Sequence, residues 1–433
     1  MSLGIVISNH NMGHKTVECL SSVFGSALDS FRVFIVDMAS SDDSVPVMEK
    51  HIKERIKEHF NGQIRLTCRN EDLGSCGGLN IGIRQALDAG CDYICCLGEA
   101  VTVEPAALGI MMRFMQSHPQ VGMTGAKVYH KHMPHYIQQF GIAVDFKNFR
   151  ANTLYADCAD SPDLPSEVYC DAVSACAMMV SASAIRAVGM MPDDNFLYWD
   201  DTEWGFLMKQ AGFEVAALAD AKMYHSANPM RRCDNTKVNY YLTRNCLNFF
   251  MKYTHPEKCM KMSIVLLRSI FESFYLHRMG QAHNMAQSDL TALNDAIYGL
   301  RGIAPASRIL ANDENGLGFV NFFEEHEAVY MEDDDPFLEQ VIRQINPDIR
   351  FLQLPQKDAV TIVRCKSILG IKDFDYPLDF SDEVVYIDKN YRMLATREDA
   401  KLVKDYEAGL QLFLYAMQPA VLRRISETRG IEF

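Results

Sequence analysis

A chain of 433 residues with 48% apolar content is globular and too long for a single ordinary core, so two or three domains are expected. A net charge of −14 excludes nucleic acid as the main partner, because phosphate binding needs a basic face. Thirteen cysteines occur without a CxxC pair, scattered through apolar contexts such as Cys95, Cys96, Cys176 and Cys246, which predicts buried, reduced thiols. The start, MSLGIVISNHN, enters a strand with no basic, apolar leader, and segment 262–276 is interrupted by Arg268, Glu272 and Ser273 and is too short to span a bilayer. A cytoplasmic chain is expected.

The first 125 residues alternate: strands are predicted at 4–8, 33–36, 64–68 and 93–97, and helices at 45–60, 79–89 and 105–117. That alternation implies a parallel sheet with helices on both faces, whose ligand site lies beyond the C-terminal strand ends. Asp37 and Glu99 fall on that edge. Residues 126–170 lose the period and read as an irregular lobe, in which His130, His132 and His135 are loop histidines rather than a metal cluster. Order resumes with 174–180, a helix at 182–188, a helix through Leu207, Met208 and Ala211 ended by Gly212, and a strand at 215–218. Helices follow at 238–253, 256–280 and 288–300. The segment 256–304 carries Lys258, Lys261, Arg268 and Arg278, which suit either a packing platform or peripheral contact with a membrane. Short strands at 308–311, 328–331, 350–354, 361–364 and 384–387 and a helix at 398–426 predict a smaller α/β domain over 305–433. Its acidic run Glu332 to Asp335 reads as a solvated loop.

Three stretches carry chemistry. Asp37 ends the VFIV strand and opens a Ser-rich turn; its carboxylate suits a uracil N3 proton or ribose hydroxyls, or caps the next helix. In RNEDLGSCGGLNIGI, Gly74, Gly77 and Gly78 free the backbone to approach a ligand, and the helix N-terminus suits an anion; Arg84 reads as solvated. In FLYWDDTEWG, Asp200, Asp201 and Glu203 crowd three carboxylates at a helix start, which raises at least one pKa toward that of a general base or simply suits the helix dipole.

These motifs, with the run ending at Glu99-Ala100 and with AKMYH and YYLTRN, come in an order that resembles the family 2 glycosyltransferases, nearest the bacterial galactofuranosyl- and rhamnosyltransferase-like members, over about residues 3–250. The resemblance implies a GT-A nucleotide-sugar-binding domain at 1–255 and inverting transfer from a UDP- or dTDP-sugar to a glycan or lipid-linked glycan acceptor of the bacterial surface. It matches Asp201 to the general base, with Asp200 and Glu203 positioning the acceptor or tuning that base. It matches Asp37, Ser8, Asn70, Gly77 and Gly78 to the donor, and His225 to a histidine that holds metal or diphosphate.

One departure stands out. Where the family has an acidic motif whose last Asp binds the divalent cation, Mg²⁺ or Mn²⁺, this chain has Gly98-Glu99-Ala100, and a methyl group cannot coordinate a hard cation. Three answers stay open: Glu99 reaches the metal; His225, Arg231 and Arg232 meet the diphosphate charge without one; or turnover is lost and the chain is a sugar-nucleotide-binding scaffold.

Overall fold

All seven residues of Leu3–Asn9 (β1) are buried, as befits a strand covered on both faces at the centre of a parallel sheet. Its alternation splits the core in two. Ile5 and Ile7 pack with Leu20, Val23 and Met111 on one side, while Val6 packs with Leu79, Ile83 and Trp204 on the other.

The computed structural model describes residues 2–28, 30–57, 63–226, 235–280, 282–313, 318–356, 359–369, 384–394 and 397–433. The chain divides into two compact units, residues 1–227 with 301–303, and residues 228–300 with 304–433. In the first unit β1 leads through helix Gly13–Phe24 (α1) to Arg32–Met38 (β2), then through Ser44–Lys57 (α2) to Ile64–Arg69 (β3) and through Gly74–Asp88 (α3) to Tyr93–Gly98 (β4). There follow Val101–Val103 (β5), helix Ala107–Ser117 (α4), strands Val121–His130 (β6), Met133–Gln139 (β7), Ile142–Asp145 (β8), Arg150–Thr153 (β9), Glu167–Tyr169 (β10) and Ala177–Ser181 (β11), helices Ala182–Val188 (α5) and Asp200–Gln210 (α6), and strand Glu214–His225 (β12). The main sheet runs β10-β12-β6-β11-β4-β1-β2-β3, with β5 on β12 and β7 on β6. β3, β2, β1 and β4 are parallel, and β11 enters antiparallel between β4 and β6. The register sets Ser8 beside Val36 and Gly98, and Asn9 beside Asp37, so the site-bearing strand ends share one level.

The segment 126–170 is not the irregular lobe expected from its sequence: it supplies the second half of β6 and all of β7 to β10. Its period is hidden because β6 is buried throughout yet carries Lys127 and His130, whose side chains are met from afar by Asp160 at 2.7 Å and Asp157 at 2.9 Å. Helix α3 begins at Gly74, five residues before the expected start.

The second unit holds helices Thr236–Tyr253 (α7), Cys259–Met279 (α8) and His283–Ile297 (α9), then Gly318–Glu325 (α10), Ala328–Met331 (β13), Pro336–Ile345 (α11), Arg350–Leu352 (β14), Val360–Cys365 (β15), Val384–Asp388 (β16), Met393–Leu394 (β17) and Arg397–Arg429 (α12). The strands form a sheet in the order β14-β13-β15-β16-β17, parallel except for the last. The strand expected at 308–311 is absent there; a 3₁₀ turn spans Ala306–Arg308. Asp335, from the acidic run, caps α11 through the Leu338 N–H at 2.9 Å and pairs with Arg364 at 3.0 Å. The YYLTRN motif builds the core of this unit: Arg244 is fully buried over the rings of Tyr240 and Tyr241, and the Tyr240 hydroxyl donates to Asp295 at 2.7 Å. Among the described residues no helix is long and apolar enough to cross a membrane.

Candidate active site

Helix α6 starts from a strained turn. Phe196, Tyr198 and Trp199 all have positive φ, at 68°, 63° and 70°, and each such non-glycine residue costs roughly 1–2 kcal/mol. Strain of that kind persists only where the surroundings enforce it, and here the surroundings are visible. Gly74, at φ 75°, lets α3 press against the turn so closely that a Cβ there would lie 2.0 Å from the Phe196 carbonyl oxygen. Glu203, buried to 1% exposure, accepts from the Asn195 side-chain amide at 3.2 Å and ties the turn to its own helix.

The turn delivers two adjacent carboxylates. Asp201 is half-buried; one oxygen accepts the Ala175 N–H at 3.0 Å and the other the Thr202 N–H at 2.7 Å and its hydroxyl at 3.2 Å. Burial raises its pKa, and those donors, with the Ser174 hydroxyl, oppose the rise. Asp200 is buried at 5% exposure beside the Cys76 thiol, and burial together with the Asp201 charge pushes its pKa well above the carboxylate range. Two carboxyls in one dry corner cannot both ionise freely, so the charge on either one opposes ionisation of the other.

At the ends of β1 and β2, Asp37 is 1% exposed and its carboxylate is held within the chain. Oδ1 accepts from the Asn9 amide at 2.7 Å and the Ser40 hydroxyl at 2.6 Å, and Oδ2 from the Ser40 N–H at 3.1 Å. Asn9, itself fully buried, accepts from Thr16 at 2.7 Å, and His10 reaches the Met38 carbonyl at 2.6 Å. Asn9, Thr16, His10, Ser174 and Cys76 escaped the sequence reading; the polar run SNHN ending an apolar strand is the signal that could have marked Asn9 and His10. Ser8 lies under α3, where a Cβ on Gly78 would meet its hydroxyl at 2.2 Å, and Gly77 stands against Leu73. The space at Gly74, Gly77 and Gly78 is thus filled by the chain itself. Asn70 is exposed just past β3, as is Arg84 on α3. A groove of about 460 Å³ opens beside that helix, walled by Asp72, Arg84, Asp88, Asp193 and Phe196, and does not include the acid pair.

Glu99 and His225 meet at one corner of the backbone. β5 pairs His225 with Val101, and the Ala100 carbonyl accepts the Ser226 N–H at 3.1 Å. Their side chains do not make a cation cage. His225 Nδ1 lies 2.8 Å from the Gln138 amide oxygen, and Glu99 is half-buried with its pKa raised by burial, against the pull of Lys15 and His10. Among the described residues no group of three or more His, Cys, Asp or Glu gathers where a metal would sit. Among the described residues, Glu99 and His225 are not joined by further acidic, His or Cys ligands into a cation cage. Arg231 and Arg232 lie outside the described residues.

A mostly parallel sheet with helices on both faces, presenting carboxylates at its C-terminal edge, is the layout of a GT-A-type fold. Residues 4–168 match the model of "Glycosyl transferase family 2", and that stretch is a glycosyltransferase family 2 domain. A curated relative, the dTDP-rhamnosyl transferase RfbF of Shigella flexneri, is 20% identical over 306 residues, covering 67% of this chain and 98% of its own. Among solved structures, Staphylococcus aureus TarS is similar at a TM-score of 0.42 and 12% identity over 71% of this chain, which spans half of TarS. The mannosyltransferase PcManGT of Pyrobaculum calidifontis, in complex with GDP-Man and Mn²⁺, is similar at a TM-score of 0.43 and 12% identity, over 70% of this chain and 77% of its own.

Proposed function

We propose that the protein transfers a sugar, with inversion, from a UDP- or dTDP-linked donor to a hydroxyl of a glycan or lipid-linked glycan acceptor of the bacterial surface. The observation that carries this reading is the unequal acid pair at the head of α6, one carboxyl buried and the other half-buried. Asp201 takes the proton of the acceptor hydroxyl as its oxygen attacks the anomeric carbon; the bond from that carbon to the diphosphate oxygen breaks, and the nucleoside diphosphate leaves with the electron pair. Asp200, held neutral, keeps a second charge away from the incoming hydroxyl, and Glu203 fixes the turn. Asp37 and Asn9 brace the edge where the nucleoside is bound, with Asn70 exposed beside it, Ser8 and Gly78 packing α3 against β1 beneath it, and Gly77 against Leu73. The dTDP alternative draws support from the rhamnosyl transferase relative, and the cytosolic face of the membrane is the place where such an acceptor would be met.

Asp201→Asn tests this directly. Transfer should fall on the order of 10²–10⁴-fold, while titration calorimetry with the nucleotide gives an unchanged affinity. Full turnover in that variant would remove Asp201 from the mechanism. The second reading, a binding scaffold, is favoured by Ala100 at the position where the family's metal ligand is expected. Donors that bind without transfer or hydrolysis by the wild type would establish it.

A further inference from the structure

Helix α12 is covered on one side only. Tyr406, Leu410, Val421 and Ile425 are buried, the Phe413 ring packs tilted against Phe271 of α8 with centroids 4.9 Å apart, and Gln418 donates to Ser263 at 3.0 Å. The opposite side of an exposed helix is ordinarily charged. Here residues 408–422, AGLQLFLYAMQPAVL, contain no charge at all. Ala408, Leu412, Tyr415, Ala416 and Pro419 are exposed along it at three- and four-residue spacing, Leu412 at 73% and Tyr415 at 85%. The stripe runs roughly 22 Å and is closed by opposite charges: Asp405 at its N-terminal end and Arg423, 3.9 Å from Glu427, at its C-terminal end, both exposed.

We infer that this stripe is a twofold interface between two copies of the chain, with the α12 helices antiparallel. A two-fold axis presents one patch to itself, so each residue's partner is fixed by the sequence. Antiparallel pairing brings Asp405 of one copy to Arg423 of the other, and Leu412 and Tyr415 flank the midpoint between those charges. Parallel pairing would stack like charges. An anionic lipid surface would call for cations at both ends of the stripe and meets acids at one. A single helix pair lies at the small end of specific interfaces, which begin at about 1,200 Å² of buried surface, so a weak, concentration-dependent dimer is the expected form.

Sedimentation equilibrium on the full chain tests the assignment. The wild type should pass from monomer to dimer as concentration rises, and Leu412→Glu/Tyr415→Glu should stay monomeric with an unchanged circular dichroism spectrum. Arg423→Asp should weaken the dimer about tenfold, and adding Asp405→Arg to it should restore most of the loss. A monomer at all concentrations up to about 100 μM, dimers untouched by these variants, or a charge swap that fails to rescue would each overturn the proposal. So would a monomer that pellets with vesicles of phosphatidylglycerol through Leu412 and Tyr415, which would give the stripe to the membrane.

Discussion

Asp200 and Asp201 differ by one position and by their surroundings, and the difference has a measurable sign. Burial raises the folded pKa of Asp200 above its unfolded value. Between those two values the native state binds more protons than the unfolded chain, so stability falls as pH rises through that window and the cost is carried at higher pH. Asp200→Asn cannot ionise. It should raise the thermal unfolding midpoint at pH 7, by roughly 2–4 °C per kcal/mol recovered, and the gain should shrink toward pH 4. The raised pKa of Asp201 gives a second signature: transfer should rise with pH along a limb displaced above the ordinary carboxylate range. A limb near pH 4 would remove burial as the controlling term. Ala100 invites a gain-of-ligand experiment. EDTA should leave wild-type turnover largely intact, whereas Ala100→Asp should make it respond to added Mn²⁺; turnover abolished by EDTA and lost in Glu99→Ala would instead make Glu99 a metal ligand.

Among the elements, α6 and α3 act together, because the turn before α6 is held in its strained form by the start of α3. Gly74→Ala puts a methyl group where the Phe196 carbonyl sits, at a φ that alanine adopts only with strain. A loss of about 1–3 kcal/mol should accompany a drop in kcat larger than any change in nucleotide affinity, since the displaced turn carries the acids and not the nucleoside edge. Much of this was legible in the sequence. Strands β1, β2 and β4 announce themselves as apolar runs, and the crowding of Asp200, Asp201 and Glu203 marks a site because like charges need a reason to be adjacent. What each acid does was not legible. Glu203 is fixed by Asn195, eight residues upstream, and Asp201 by the N–H of Ala175, 26 residues away; such partners appear only when the chain is folded. Strands β6 to β10 were hidden for the same reason, their buried Lys127 and His130 being tolerable only beside acids from another part of the chain.

For the whole molecule, the order of strands across the sheet differs from their order of synthesis. The segment recognisable as family 2 ends at residue 168. Strand β11, at Ala177–Ser181, is nevertheless wedged between β4 and β6, and β12, the last strand of the unit to be made, covers the other side of β6. A ribosome that has released only the recognisable block has therefore produced two half-sheets with open ladders and nothing to join them, the state in which strands pair with the wrong neighbours. Expressed alone, residues 1–170 should aggregate, while residues 1–227 should remain in the supernatant on centrifugation. The boundary by which relatives are detected is thus drawn inside a cooperative body, and a library of truncations cut there would report loss of activity that is only loss of folding.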